Sequence, residues 1–197
     1  MTSVFARRCL AAVSMIIAPA LALAHPEGHS ASDALAGLLH PFTGLDHLLA
    51  MFAVGLWAAR SGRGAVWTLP VVFPVVMVAG AVLAMRGVTL PAIEPMIAIS
   101  VISLGVLIAL GARLPLATSA LLVGVFAIFH GYAHASEAPG SATMVPYALG
   151  FIASTVLLHT FGITTGWWTE RRVEGGHRPM RVVGSLIAVA GASMLVL

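Results

Sequence analysis

Residues 66–85 read VWTLPVVFPVVMVAGAVLAM, with no charged side chain among them and with Arg60, Arg63 and Arg86 on either side. A bilayer core about 30 Å thick is crossed by roughly 20 mostly apolar helical residues, so this stretch predicts a membrane-spanning helix. A strand of a membrane barrel would alternate apolar with polar side chains, and this run does not. In lipid the backbone must also satisfy its own hydrogen bonds, which a helix does alone.

Working outward, five more stretches have this character, at 42–59, 93–111, 116–135, 145–166 and 181–197. The prediction is an all-α integral membrane protein, a bundle of six transmembrane helices. The composition agrees: 59% of the 197 residues are hydrophobic, 9% are charged, and the mean hydropathy is +1.01. Soluble domains carry roughly 25% charged residues. The pI near 10 would point to nucleic acid in a soluble protein, but here the basic residues are ten arginines gathered between apolar runs. No nucleic-acid partner is expected; the bilayer is the partner.

Residues 1–24 read as a cleaved signal peptide. Arg7 and Arg8 form a basic start, Cys9 to Leu23 an apolar stretch broken by Pro19, and Ala22-Leu23-Ala24 a small-residue cleavage site. The mature chain, 25–197, then forms one six-helix domain beginning at His25. Cys9 is the single cysteine and departs with the leader, so no thiolate ligand or disulfide remains. With the new N-terminus in the periplasm, Arg60, Arg63, Arg113, Arg171, Arg172, Arg178 and Arg181 fall in cytoplasmic loops, and Arg86 alone falls outside. That is the positive-inside bias of a bacterial inner-membrane protein with both mature termini periplasmic. Small residues four apart, Gly55 and Ala59, Gly150 and Ser154, Gly184 and Ala188, let helices approach closely and allow a homo-oligomer.

Chemistry concentrates in three places. The first span opens His40-Pro41-Phe42-Thr43-Gly44-Leu45-Asp46-His47 and continues to Met51. Pro41 suits a first helical turn, which puts His40 at the outer mouth and Asp46 and His47 about one turn deeper. The fourth span ends Phe129-His130-Gly131-Tyr132-Ala133-His134-Ala135-Ser136-Glu137. His130 and His134, four apart, share a helix face and can reach one ion, with Glu137 a turn further out. In the fifth span Thr155 and His159 are again four apart, and His159 lies past the midplane as a deeper relay position.

Ionisable groups inside spans are costly and mark pathways, and five of the eight histidines lie in or at the ends of these three spans. The expected metal-binding set is His40, Asp46, His47, His130, His134, Glu137 and His159. Imidazole and carboxylate donors without thiolate suit Ni²⁺, Co²⁺ or Zn²⁺ as a transported ion. Asp46 either binds the ion or orients His47. Less weight falls on Glu94, a helix-start anion, on Ser32 and Asp33, caps of a short helix before His40, on His25 and His29, read as a flexible polar tail with periplasmic metal capture as the alternative, and on His177, read as solvated.

The motifs His40-Pro41-Phe42-x-Gly44-x-Asp46-His47-x-x-x-Met51-x-x-Val54-Gly55, Phe129-His130-Gly131-x-Ala133-His134-x-x-Glu137 and Gly150-Phe151-x-x-x-Thr155-x-x-x-His159 resemble those of the HupE/UreJ family, across essentially the whole mature chain. Ala135-Ser136 departs from the pattern where a glycine is expected. The resemblance implies a secondary nickel or cobalt permease with a cleaved signal peptide, linked to hydrogenase or urease maturation. Nickel as the ion rests on the resemblance; metal transport in general rests on the residues. No ATP-binding sequence and no hydrolase motif is present, so no enzymatic activity is expected, and uptake would draw on the ion gradient, the membrane potential or proton exchange. Two other readings stay open on the residues alone: a bis-histidine haem-binding electron carrier, and a metal-binding sensor or accessory scaffold.

Overall fold

A computed structural model of the chain describes residues 28–137, 143–172 and 177–196. The expected leader and His25 lie outside the described residues, as do the side chains of His29 and His177. The described residues hold seven helices and no strand: α1 Gly28–Thr43, α2 Leu45–Ser61, α3 Arg63–Met85, α4 Ile93–Leu110, α5 Leu116–Glu137, α6 Met144–Arg172 and α7 His177–Met194. The helices α3, α4, α5 and α6 are long and apolar enough to cross a membrane, and α1 with α2 gives a fifth span if that pair is counted as one. The chain is a multi-pass membrane protein. On α3, Trp67, Val71, Val75, Val78, Val82 and Met85 are all exposed at steps of three or four residues, forming one apolar face. Such a face is unfavourable in water and at home in lipid.

Helix limits differ from the sequence reading where backbone chemistry intervenes. The first span, expected at 42–59, is interrupted at Gly44, and Pro41 lies in the last turn of α1 instead of the first turn of a span. Ser32 and Asp33 are interior to α1, which starts at Gly28. Asp33 accepts a hydrogen bond from the Thr143 backbone N–H at 2.8 Å, capping the start of α6 instead of its own helix.

The described residues fall into two compact units. The smaller comprises α1 and α6 up to Leu157. Its helices touch through glycine: a Cβ at Gly37 would strike the Tyr147 carbonyl, and one at Gly150 the Ala34 carbonyl. The larger unit comprises α2 to α5, α6 from Leu158, and α7. Its axis is α2, whose residues Ala53 to Arg60 are all buried, as befits a helix apolar on every side.

Lipid tails are as apolar as leucine, so packing and not water exclusion holds membrane helices together. Glycines accordingly mark the contacts of the larger unit. Gly80 faces the Ile128 carbonyl and Gly131 the Met77 carbonyl between α3 and α5, Gly105 and Gly184 bring α4 against α7, and Gly55 and Gly162 bring α2 against α6. Arg60, expected in a cytoplasmic loop, lies instead in the last turn of α2 and is buried. Its Nε stands 3.3 Å from Glu170 Oε1 on α6, and its Nη1 donates to the Ile108 carbonyl at the end of α4. Guanidinium near a helix C-terminus also meets the negative end of the dipole.

Candidate metal-binding site

The first turn of α2 supplies Asp46 and His47. One carboxylate oxygen, Asp46 Oδ1, accepts from the His47 backbone N–H at 2.8 Å and lies 2.6 Å from His47 Nδ1. A carboxylate is stabilised in a first helical turn. There it holds the Nδ1–H, which leaves Nε2 as the nitrogen bearing the lone pair of a neutral ring.

His130, on α5, repeats the arrangement with a different acceptor. Its Nδ1 lies 2.9 Å from the Phe126 carbonyl one turn earlier. A carbonyl only accepts, so Nδ1 must carry the proton and Nε2 the lone pair. The ring is fully buried, and among the described residues Nε2 has no hydrogen-bond partner.

These imidazoles lie together. The ring centroid of His47 is 5.5 Å from that of His130 and 4.1 Å from that of His134. The i, i+4 spacing of His130 and His134 puts both on the face of α5 that meets α2. Gly131 between them lets α5 close on the Met77 carbonyl of α3. The ring of Phe73, on α3, lies 5.5 Å from His130 and 5.4 Å, edge to face, from His159 on α6. Sequence reading passed over Phe73; the signal was its place between Pro70 and Pro74 in an otherwise featureless apolar run.

The structure thus brings together Asp46, His47, His130 and His134, and joins His159 to His130 through one aromatic ring. Glu137 is the exposed last residue of α5. His40 belongs to the smaller unit, in the last turn of α1, half-buried against the rings of Tyr147 and Phe151 at 5.9 and 6.1 Å. Thr155 is spent within α6, where its hydroxyl donates to the Phe151 carbonyl. Glu94 lies in the first turn of α4, as a helix-start anion should.

Chemically, two oriented imidazoles in a buried setting are a donor type that suits a borderline transition metal, and tying the second ring nitrogen to a carboxylate or carbonyl is how metal sites fix the tautomer. A family model described as HupE / UreJ protein matches residues 13–194. Protein HupE of Rhizobium leguminosarum bv. viciae is 45% identical over 178 residues, covering 90% of this chain and 92% of the relative. No solved structure matches. A motif set spread over three helices, a buried imidazole cluster built from it and a match along nearly the full chain lead to one assignment: this protein belongs to the HupE/UreJ family.

Proposed function

We propose that the chain is a secondary permease that carries a divalent transition metal ion, nickel first and cobalt next, from periplasm to cytoplasm across the bacterial inner membrane. As a HupE/UreJ member it is an accessory transport protein and not an enzyme. The observation that carries the reading is the paired orientation of His47 and His130, whose rings lie together and each have Nδ1 held by an oxygen acceptor. Two imidazoles sharing an ion at about 2.1 Å have ring centres about 5 Å apart, and 5.5 Å separates these two.

In this reading six spans follow a cleaved leader, with α1 and α2 together forming the first and α7 the last, and both mature termini are periplasmic. His40 and Glu137 act at the entrance on the strength of the motifs that contain them. The ion exchanges water for His47, His130 and His134, with Asp46 orienting His47, and moves on toward His159. An inward cation gains about 2.3 kcal/mol per charge for each 100 mV of membrane potential. Delivery of nickel to hydrogenase or urease maturation is the corresponding cellular role.

The haem alternative fits the geometry poorly. A porphyrin disc must lie between its two axial imidazoles, and rings with centroids 4.1 Å apart leave no room for it. Asp46 bonded to His47 suits a cation site better than a redox cofactor held by histidine alone. The test is uptake of radioactive nickel into proteoliposomes, with cobalt, zinc and copper as competitors, for the native protein, His47→Ala and His130→Ala. Both variants lose uptake if the reading is right; equal uptake by all three would remove the site.

A further inference from the structure

Beyond His159, α6 continues through Gly162 and Gly166 to Glu170. Steps of three and four residues keep these positions on one side, and the eleven residues from His159 to Glu170 fall within about 20° of three full turns. That side lies against α2. A Cβ on Gly55 would strike the His159 carbonyl, one on Gly162 would strike the Phe52 carbonyl, and one on Gly166 would lie 2.8 Å from the Ala59 Cβ. From His159 to Gly166 the two helices are in close contact, a seam that leaves no width for a hydrated ion.

The seam ends at charge. Arg60 follows Ala59, and its buried Nε stands 3.3 Å from Glu170 Oε1 while Nη1 donates to the Ile108 carbonyl at 3.2 Å. Trp57, on the same helix, donates its ring N–H to the Ala112 carbonyl at 3.0 Å. Gly111 ends α4 in the left-handed region, and a Cβ there would crowd the Arg60 guanidinium at 3.1 Å. The ends of α2, α4 and α6 are thus drawn together at one guanidinium. Its contact with Glu170 is one of charge without hydrogen-bond alignment, and the buried Oε1 accepts no hydrogen bond among the described residues.

We infer that Arg60 and Glu170 are the inner latch of the permease: their contact holds the α2–α6 seam shut beyond His159, and a divalent cation arriving there takes Glu170 from the guanidinium and opens the way to the cytoplasm. The inference rests on the permease reading above and adds the step by which the ion leaves. The imidazole cluster lies at the first turn of α2 and Arg60 at its last, about 20 Å away along the helix. A carrier working around a fixed site opens to one side at a time, and here the side beyond His159 is closed. A buried ion pair adds little net stability over apolar packing, and its best-attested use is as a switch. Gly162 and Gly166 offer no side chains to interlock with α2, so once the charges part the helices are held by close packing alone.

The test is thiol labelling in a Cys9→Ser background, where an introduced cysteine is the only one. Leu56→Cys places a smaller side chain in the seam, and Leu69→Cys makes the same change at a similar depth on α3; both leucines are fully buried. Inside-out membrane vesicles are treated with an impermeant maleimide, with and without nickel in the lumen. With the latch intact, Leu56→Cys is labelled slowly, and nickel speeds this several-fold. With Glu170→Gln it is labelled several-fold faster without nickel, and nickel adds little. Glu170→Asp, which keeps the charge but shortens the reach by one carbon, gives a rate between the two. Leu69→Cys stays slow throughout. Equal labelling of Leu56→Cys with native Glu170 and both replacements, or a matching rise at Leu69→Cys, overturns the inference, the second because the bundle has merely loosened. Equal nickel uptake by native protein and His47→Ala would instead sink the permease reading, and the nickel-free comparison would still decide whether the ion pair holds the seam.

Discussion

Replacing Asp46 separates orientation of a ligand from supply of one. Asp46 Oδ1 accepts from both the backbone and the ring of His47, at 2.8 and 2.6 Å, so the carboxylate fixes where the imidazole points and which nitrogen is protonated. Losing such a partner typically costs 10- to 100-fold in metal affinity, about 1.4 to 2.7 kcal/mol. Asp46→Asn keeps an oxygen that can accept the ring N–H but loses the charge, which roughly halves the strength of that bond. It belongs at the lower end, about tenfold. Asp46→Ala removes the acceptor and belongs at the upper end, about 100-fold. The helix itself loses only about 0.3 to 1 kcal/mol of dipole interaction, too little to unfold the bundle. Calorimetric titration of nickel into detergent-purified protein measures the affinities without any dependence on transport steps. If Asp46→Ala bound nickel within about twofold of native, well under the loss expected for an orienting carboxylate, His47 would not be a ligand held by its neighbour, and the oriented-imidazole site would fall.

Gly131→Ala, whose Cβ would meet the Met77 backbone, should lower thermal stability in detergent by about 1 to 3 kcal/mol, whereas Gly124→Ala, with only valine methyls at 3.8 and 3.9 Å, should be nearly neutral. Melting curves that fail to separate the two would contradict the close packing of α3 on α5. Glu170→Gln leaves the buried Arg60 guanidinium without its carboxylate; since Glu170 is partly exposed, the loss should be about 1 to 3 kcal/mol, short of a fully buried pair. The double change Arg60→Met with Glu170→Leu should recover most of it, and a double variant as unstable as the single one would argue against the pair.

The all-helical membrane class and the shared helix face of the candidate histidines were legible because membrane helices make their demands locally. Twenty uncharged residues in a row admit few structures besides a span, and the i, i+4 spacing of His130 and His134 fixes a shared face before any neighbour is known. What was not legible depended on a partner from elsewhere in the chain. Arg60 counts as a cytoplasmic loop charge by the positive-inside rule, yet Glu170, more than a hundred residues later, and the end of α4 draw it into the bundle. Asp33 resembles a cap for its own helix and caps another. Asp46 left two roles open, and only the 2.6 Å contact with His47 favours the orienting one. Pro70 and Pro74 belong to both classes. Their four-residue spacing states, from sequence alone, that a backbone carbonyl goes without its helical partner, although not what meets it. In a water-soluble helix such a carbonyl turns to solvent. Within a span it must be met from inside the protein, so paired prolines in an apolar run amount to a request for a buried donor.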